Sequence, residues 1–152
     1  MGRTPVVRVT GKRLRINVMS AVASRGALWF TVFTERFTAP VFTGFLDRVA
    51  RQADRKVHVI ADRHPVRRGK AVRSWLKANT DRIEPHLMPG YSPELNPDEL
   101  LNADLKRNVN ASRAHTVDRL AHETRRFLRR RRHQPNIVRG YFRAPHVRYA
   151  AM

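Results

Sequence analysis

The segment Leu87-Met88-Pro89-Gly90-Tyr91-Ser92-Pro93-Glu94-Leu95-Asn96-Pro97-Asp98-Glu99 constrains this chain more than any other. Its prolines forbid a regular strand or helix until the last of them, which suits a first helical turn. Asn96 is the expected N-cap, and Glu99 then stands at the head of a helix. A second acid, Asp62, ends the apolar run Val57-His58-Val59-Ile60-Ala61. Acids at a strand end and a helix start can converge on a divalent metal, the chemistry that cuts phosphodiester bonds. The plainer alternative is that Asp62 caps a turn and Glu99 complements a helix dipole.

The 152 residues suit one domain with a core, and 41% apolar content is too high for compositional disorder. No run approaches the roughly 18 apolar residues of a membrane span, and no signal-peptide core follows Met1. With no cysteine, disulfides and thiolate-held zinc are excluded. A cytoplasmic, nucleoid-associated protein is expected. Thirty-one Lys+Arg against 12 Asp+Glu give a formal charge of +19, a field that draws polyanions. Most of the excess is arginine, whose planar fork grips phosphate.

The patterns predict an α/β order. Arg13–Met19 alternates and reads as a strand, Gly26 as a turn, and 27–33 as the second strand of a hairpin. Residues Met1–Thr10 look short of core. Val41, Phe42, Phe45, Leu46 and Val49 predict a helix from Pro40 to about Arg51. Lys56–Ala61 reads as a strand buried on both faces. A helix carrying Ala71, Val72, Trp75 and Leu76 on one face follows, then a strand over Ile83–Met88, completing a βαβ unit. Further helices are expected from Pro97 to about Arg107 and from Thr116, the latter with an inner stripe of Val117, Leu120, Ala121, Thr124, Phe127 and Leu128. From Gln134 a docked loop is expected. Lys106, Arg107, Arg125, Arg126, Arg129 and Arg130 are the candidate DNA-backbone contacts. Four consecutive arginines, 129–132, spread around a helix, so they cannot all face one groove. His58, His64 and His86 show no His-x-His or His-x₃-His spacing, and a structural or surface role is expected for each.

Val57–Pro65, then Ser74-Trp75-Leu76, then Leu87–Glu99 together resemble the insertion-sequence transposases of the mariner-like superfamily, which are DDE-type endonucleases. The resemblance covers nearly the whole chain and is most specific over Tyr91–Glu99. It implies an RNase H-like mixed sheet flanked by helices. It also implies magnesium- or manganese-dependent cleavage and strand transfer at the ends of a transposon in double-stranded DNA, by an oligomer with a two-metal site. Asp62 matches the second acid of the family triad and Glu99 the third, so both are the expected catalytic and metal-binding residues. His64 matches a histidine of the family pattern, whereas Arg63 stands where the family usually has a small or amide residue. The first acid would lie on a strand upstream of Thr4–Val9, yet no Asp or Glu precedes Glu35. The expectation is therefore a truncated catalytic domain that lacks the central first strand and the N-terminal helix-turn-helix region, and that is inactive alone. Asn17 is not expected to replace the missing acid. The rival expectation is a non-enzymatic basic DNA-binding or interaction module.

Overall fold

The computed structural model describes residues 6–9, 12–61, 69–87 and 96–143. They fall into two compact units, residues Met1–Glu35 with Glu94–Met152, and Arg36–Pro93.

In the first unit, β1 (Val6–Val9) pairs antiparallel with β2 (Lys12–Arg15), and β3 (Asn17–Val22) with β4 (Leu28–Phe33). The expected single strand over Arg13–Met19 is thus two strands meeting at Ile16, each with its own partner. Within Met1–Thr10 the structure adds an element that the patterns did not predict. The β-branched run Val6-Val7-Arg8-Val9 suits an extended backbone and forms a strand. The β3–β4 turn is where Gly26 places it. Gly26 has φ 101°, which glycine adopts without a Cβ clash, and its N–H donates to the Ala23 carbonyl at 2.8 Å.

Helix α3 spans Asp98–Ser112, α4 Val117–Arg132 and α5 Pro135–Gly140. Leu101, Leu105 and Val109 recur every four residues and are almost fully buried. Burial of each such side chain stabilises by roughly 1.5–3 kcal/mol. They meet Leu120, Phe127 and Leu128 of α4 in a core shared with Ile16, Val18 and Leu28. Thr116 caps α4 by accepting the Arg119 N–H at 3.0 Å. Of the expected α4 stripe only Val117 is exposed, in the first turn. The expected loop after Gln134 is instead the short helix α5. Pro135 opens it, and Val138 with the following Tyr141 and Phe142 drives into the core.

The second unit holds α1 (Ala39–Gln52), β5 (Val57–Ala61), α2 (Lys70–Ala78) and β6 (Ile83–Leu87). Strands β5 and β6 are parallel and flank α2 in sequence, the expected βαβ unit. Phe42 and Leu46 of α1, Leu76 of α2, and Val59, Ala61 and Ile83 of the strands line a small apolar cavity. On α2 Val72 is buried, while Ala71 turns out to solvent. The expectation that β5 is buried on both faces is corrected. Val59 and Ala61 are buried, but His58, just before Val59, is exposed. An apolar run with period-two burial reads as continuous because Ile60, on the outer face, is also apolar.

Among the described residues no helix is long and apolar enough to cross a membrane.

Candidate active site and nucleic-acid interface

The head of α3 forms as its sequence requires. The Asn96 side chain accepts the Asp98 N–H at 3.0 Å, and the Asn96 carbonyl accepts the Glu99 N–H at 3.0 Å. Two amides left over by the first helical turn are satisfied this way. Glu99 is partly buried in that turn, off the apolar stripe of Leu101 and Leu105. Asp98 and Glu99 both lie at the N-terminal end of the helix dipole, which favours negative charge.

Asp98 itself was not singled out by sequence reasoning. It is 1% exposed, and the buried Ser20 hydroxyl of β3 donates to its Oδ1 and Oδ2 at 2.8 and 2.9 Å. A buried carboxylate needs such donors, and a charge-assisted bond is stronger than a neutral one. An acid directly after Pro97 in a capped first turn was the available signal. Its partner, 78 positions away, was not available.

Asp62 directly follows Ala61, the last residue of β5, and lies outside the described residues, as do Arg63 and His64.

The basic residues separate by helix face. On α4, Arg126, Arg129 and Arg130 are exposed, and Arg119 precedes Arg126 by two turns on the same side. Arg119 and Arg126 share Glu123, at 2.8 and 4.0 Å. Arg130 reaches across to Asn108 of α3 at 3.2 Å, beside the exposed Arg107 and the half-buried Lys106. Arg107 pairs with Asp104. Arg125 is partly buried, with its guanidinium 3.4 Å from the Val32 carbonyl. Arg131 points inward. It bonds Asp104 at 2.7 Å, the Tyr141 hydroxyl at 2.5 Å and Gln134 at 3.0 Å, and it lies over the Phe127 ring. Arg132 lies over Phe30. Of the four consecutive arginines, 129 and 130 are exposed on the outer face, and 131 is a core strut.

Spacing along the chain gave no reason to join His58 and His86, but the β5–β6 ladder does join them. His58 Nδ1 lies 3.1 Å from His86 Nε2, with the rings stacked at 5.3 Å. Glu84 Oε2 lies 3.5 and 3.4 Å from the same two nitrogens. The Lys56 ammonium, 3.2 Å from Oε1, holds the Glu84 carboxyl below its usual range, and the two imidazoles add to this.

Comparison with known proteins gives the context. No curated protein matches the chain. Among solved structures, the fold matches the catalytic domain of Mos1 mariner transposase with a TM-score of 0.65 at 15% identity, over 99% of this chain and 80% of that one. The Mos1 catalytic domain with raltegravir and Mg gives 0.65 at 16% identity, over 99% of this chain and 82% of that one. A chain of the simian T-cell lymphotropic virus intasome, in complex with the PP2A regulatory subunit B56 gamma, gives 0.56 at 16% identity. There the match covers 81% of this chain but spans only 45% of that chain. At such identities the likeness shows the fold, an α/β fold of the RNase H-like transposase type. The family match is at the level of sequence and covers residues 1–121, from β1 through the whole of α3 to the start of α4. The chain belongs to the DDE superfamily endonucleases.

Proposed function

We propose that this chain is the catalytic-domain portion of a DNA transposase, with Asp62 and Glu99 as two of its metal-holding acids. The observation that carries the reading is Glu99 in the capped first turn of α3, within the segment matched to the family. Asp62, next after the end of β5, supplies a carboxylate from a strand end. The donor set fits magnesium or manganese, because both take hard carboxylate oxygens. The Mos1 catalytic domain has been solved with each of these metals. When bound, such ions activate the attacking oxygen and stabilise the leaving one in phosphodiester cleavage. The chain's own acids position the ions, and the Asn96 cap holds Glu99 in place. Arg126, Arg129 and Arg130, with Lys106 and Arg107, contact the backbone of double-stranded DNA at transposon ends, in an oligomer. Arg125 supports that face from beside β4.

The family chemistry uses three acids, and within these 152 residues none precedes Glu35. A polypeptide that carries only these two acids is expected not to cleave, and would act as a basic DNA-binding module. The test is nicking of supercoiled plasmid with Mg²⁺ or Mn²⁺. The polypeptide as it stands should not nick. A version carrying the family's acid-bearing strand ahead of β1 should nick, and Asp62→Ala or Glu99→Ala should abolish it. Nicking that survives both substitutions overturns the assignment.

A further inference from the structure

The exposed His58, Glu84 and His86 lie apart in sequence from the acids assigned above and form a constellation of their own. Strands β5 and β6 are parallel, with His58 opposite Glu84 and Ile60 opposite His86. Paired positions in a ladder share a face, so the three side chains project together from the side opposite Val59 and Ile83. Two imidazole nitrogens and one carboxylate oxygen thus form a triangle with sides of 3.1, 3.4 and 3.5 Å. Each of these atoms can offer a lone pair, and at such distances a proton or a cation has to lie among them.

The triangle has the size of one face of a metal tetrahedron. Bonds of about 2.0–2.1 Å in tetrahedral geometry place ligand atoms roughly 3.3–3.4 Å apart. An octahedron with magnesium's bond lengths would bring neighbouring ligands to about 2.8–3.0 Å. Imidazole nitrogen also favours zinc, cobalt or nickel over magnesium or calcium. We propose that His58, Glu84 and His86 form a surface site for a zinc-class transition-metal dication, with water as the fourth ligand. Glu84 divides its oxygens to suit. Oε1 accepts from Lys56, which orients the carboxylate, and Oε2 faces both imidazoles. The ion bridges β5 and β6 and stabilises their pairing by mass action.

The test is titration of the untagged, chelator-treated chain with Co²⁺, whose visible absorption is far stronger in tetrahedral than in six-coordinate sites. One equivalent should develop the tetrahedral spectrum, Zn²⁺ should displace it, and excess Mg²⁺ should not. His58→Ala and His86→Ala should each weaken binding by more than the ~10–100-fold typical of losing an outer partner. Glu99→Gln should leave binding intact, which separates this site from the DDE acids. Both histidines are exposed, so these variants should keep the parent's circular dichroism. Glu84→Gln provides an independent ligand variant if either misfolds. A six-coordinate spectrum, or tetrahedral binding that persists in the ligand variants, overturns the proposal. A protein that binds no cobalt and keeps the ring-to-ring contact through a shared proton overturns it equally.

Discussion

The Ser20 hydroxyl donates to both carboxylate oxygens of Asp98, at 2.8 and 2.9 Å. The bond ties the middle of β3 to the first turn of α3, one residue from Glu99. Ser20→Ala removes a charge-assisted donor from a carboxylate that is 1% exposed. The expected loss is about 1.5–3 kcal/mol, measured by urea denaturation. An unchanged midpoint would mean that the bond contributes nothing to the fold.

Gly26 combines a φ of 101° with close packing, because an added Cβ would lie 2.8 Å from both the carbonyl oxygen and Cβ of Pro135. Gly26→Ala therefore strains the β3–β4 turn and pushes at the start of α5. A cost of roughly 1–3 kcal/mol is expected in thermal or chemical melts. Gly44→Ala, on α1 with open space around it, should be neutral or slightly stabilising.

Adjacent arginines on α4 should separate stability from binding. Arg131→Ala breaks the contacts to Asp104, Tyr141 and Gln134 and should cost about 2 kcal/mol of stability. Arg129→Ala and Arg126→Ala should leave the melt unchanged. Each should instead lower the salt slope of duplex binding by about 1 and weaken all sequences alike. Fluorescence anisotropy across a salt series would measure this. A flat salt response of the parent chain would contradict a phosphate-contacting face.

Burial raises the Tyr141 hydroxyl pKa well above its ordinary value, and its hydrogen bond to Asp104 adds to the shift while Arg131 opposes it. The folded state thus holds this proton more tightly than the unfolded chain. The contribution is complete below the unfolded value, about 10, and declines as pH rises past it toward the folded value. Tyr141→Phe should flatten the alkaline limb of a stability–pH profile. At the acid end, the Arg82 hydrogen bond, helped by Arg51, holds the Asp47 carboxyl below its usual range. That contribution is present above the unfolded value, about 4, and is lost as pH falls through the folded one. Arg82→Ala should weaken the acid limb in the same measurement.

The Val57 N–H donates toward β6, to Arg82 O at 2.8 Å, so by the strand's period of two the amides of His58 and Ile60 point to the opposite edge. Among the described residues no strand pairs with that edge. Hydrogen exchange should therefore be fast at His58 and Ile60 and slow at Val59. Strong protection at all three positions would mean that a further strand covers β5.

The sequence by itself determined the β3–β4 hairpin, the four longer helices, the βαβ unit, the helix heads at Asn96–Pro97 and Thr116, the turn at Gly26 and the DDE family. These depend on signals a few residues long, such as capping groups, a glycine at positive φ, apolar spacing and a contiguous motif. Local chemistry decides them before the chain is compact. Tertiary structure decided the rest. Arg13–Met19 reads as one strand, yet Ile16 divides it because β2 and β3 pair with different neighbours. The run 129–132 reads as uniform charge, yet Asp104 and Tyr141 draw Arg131 into the interior. His58 and His86 meet only because the parallel register sets His58 against Glu84 and Ile60 against His86. A register is a relation between segments far apart in the chain, and it is settled by which faces are buried together when they pack.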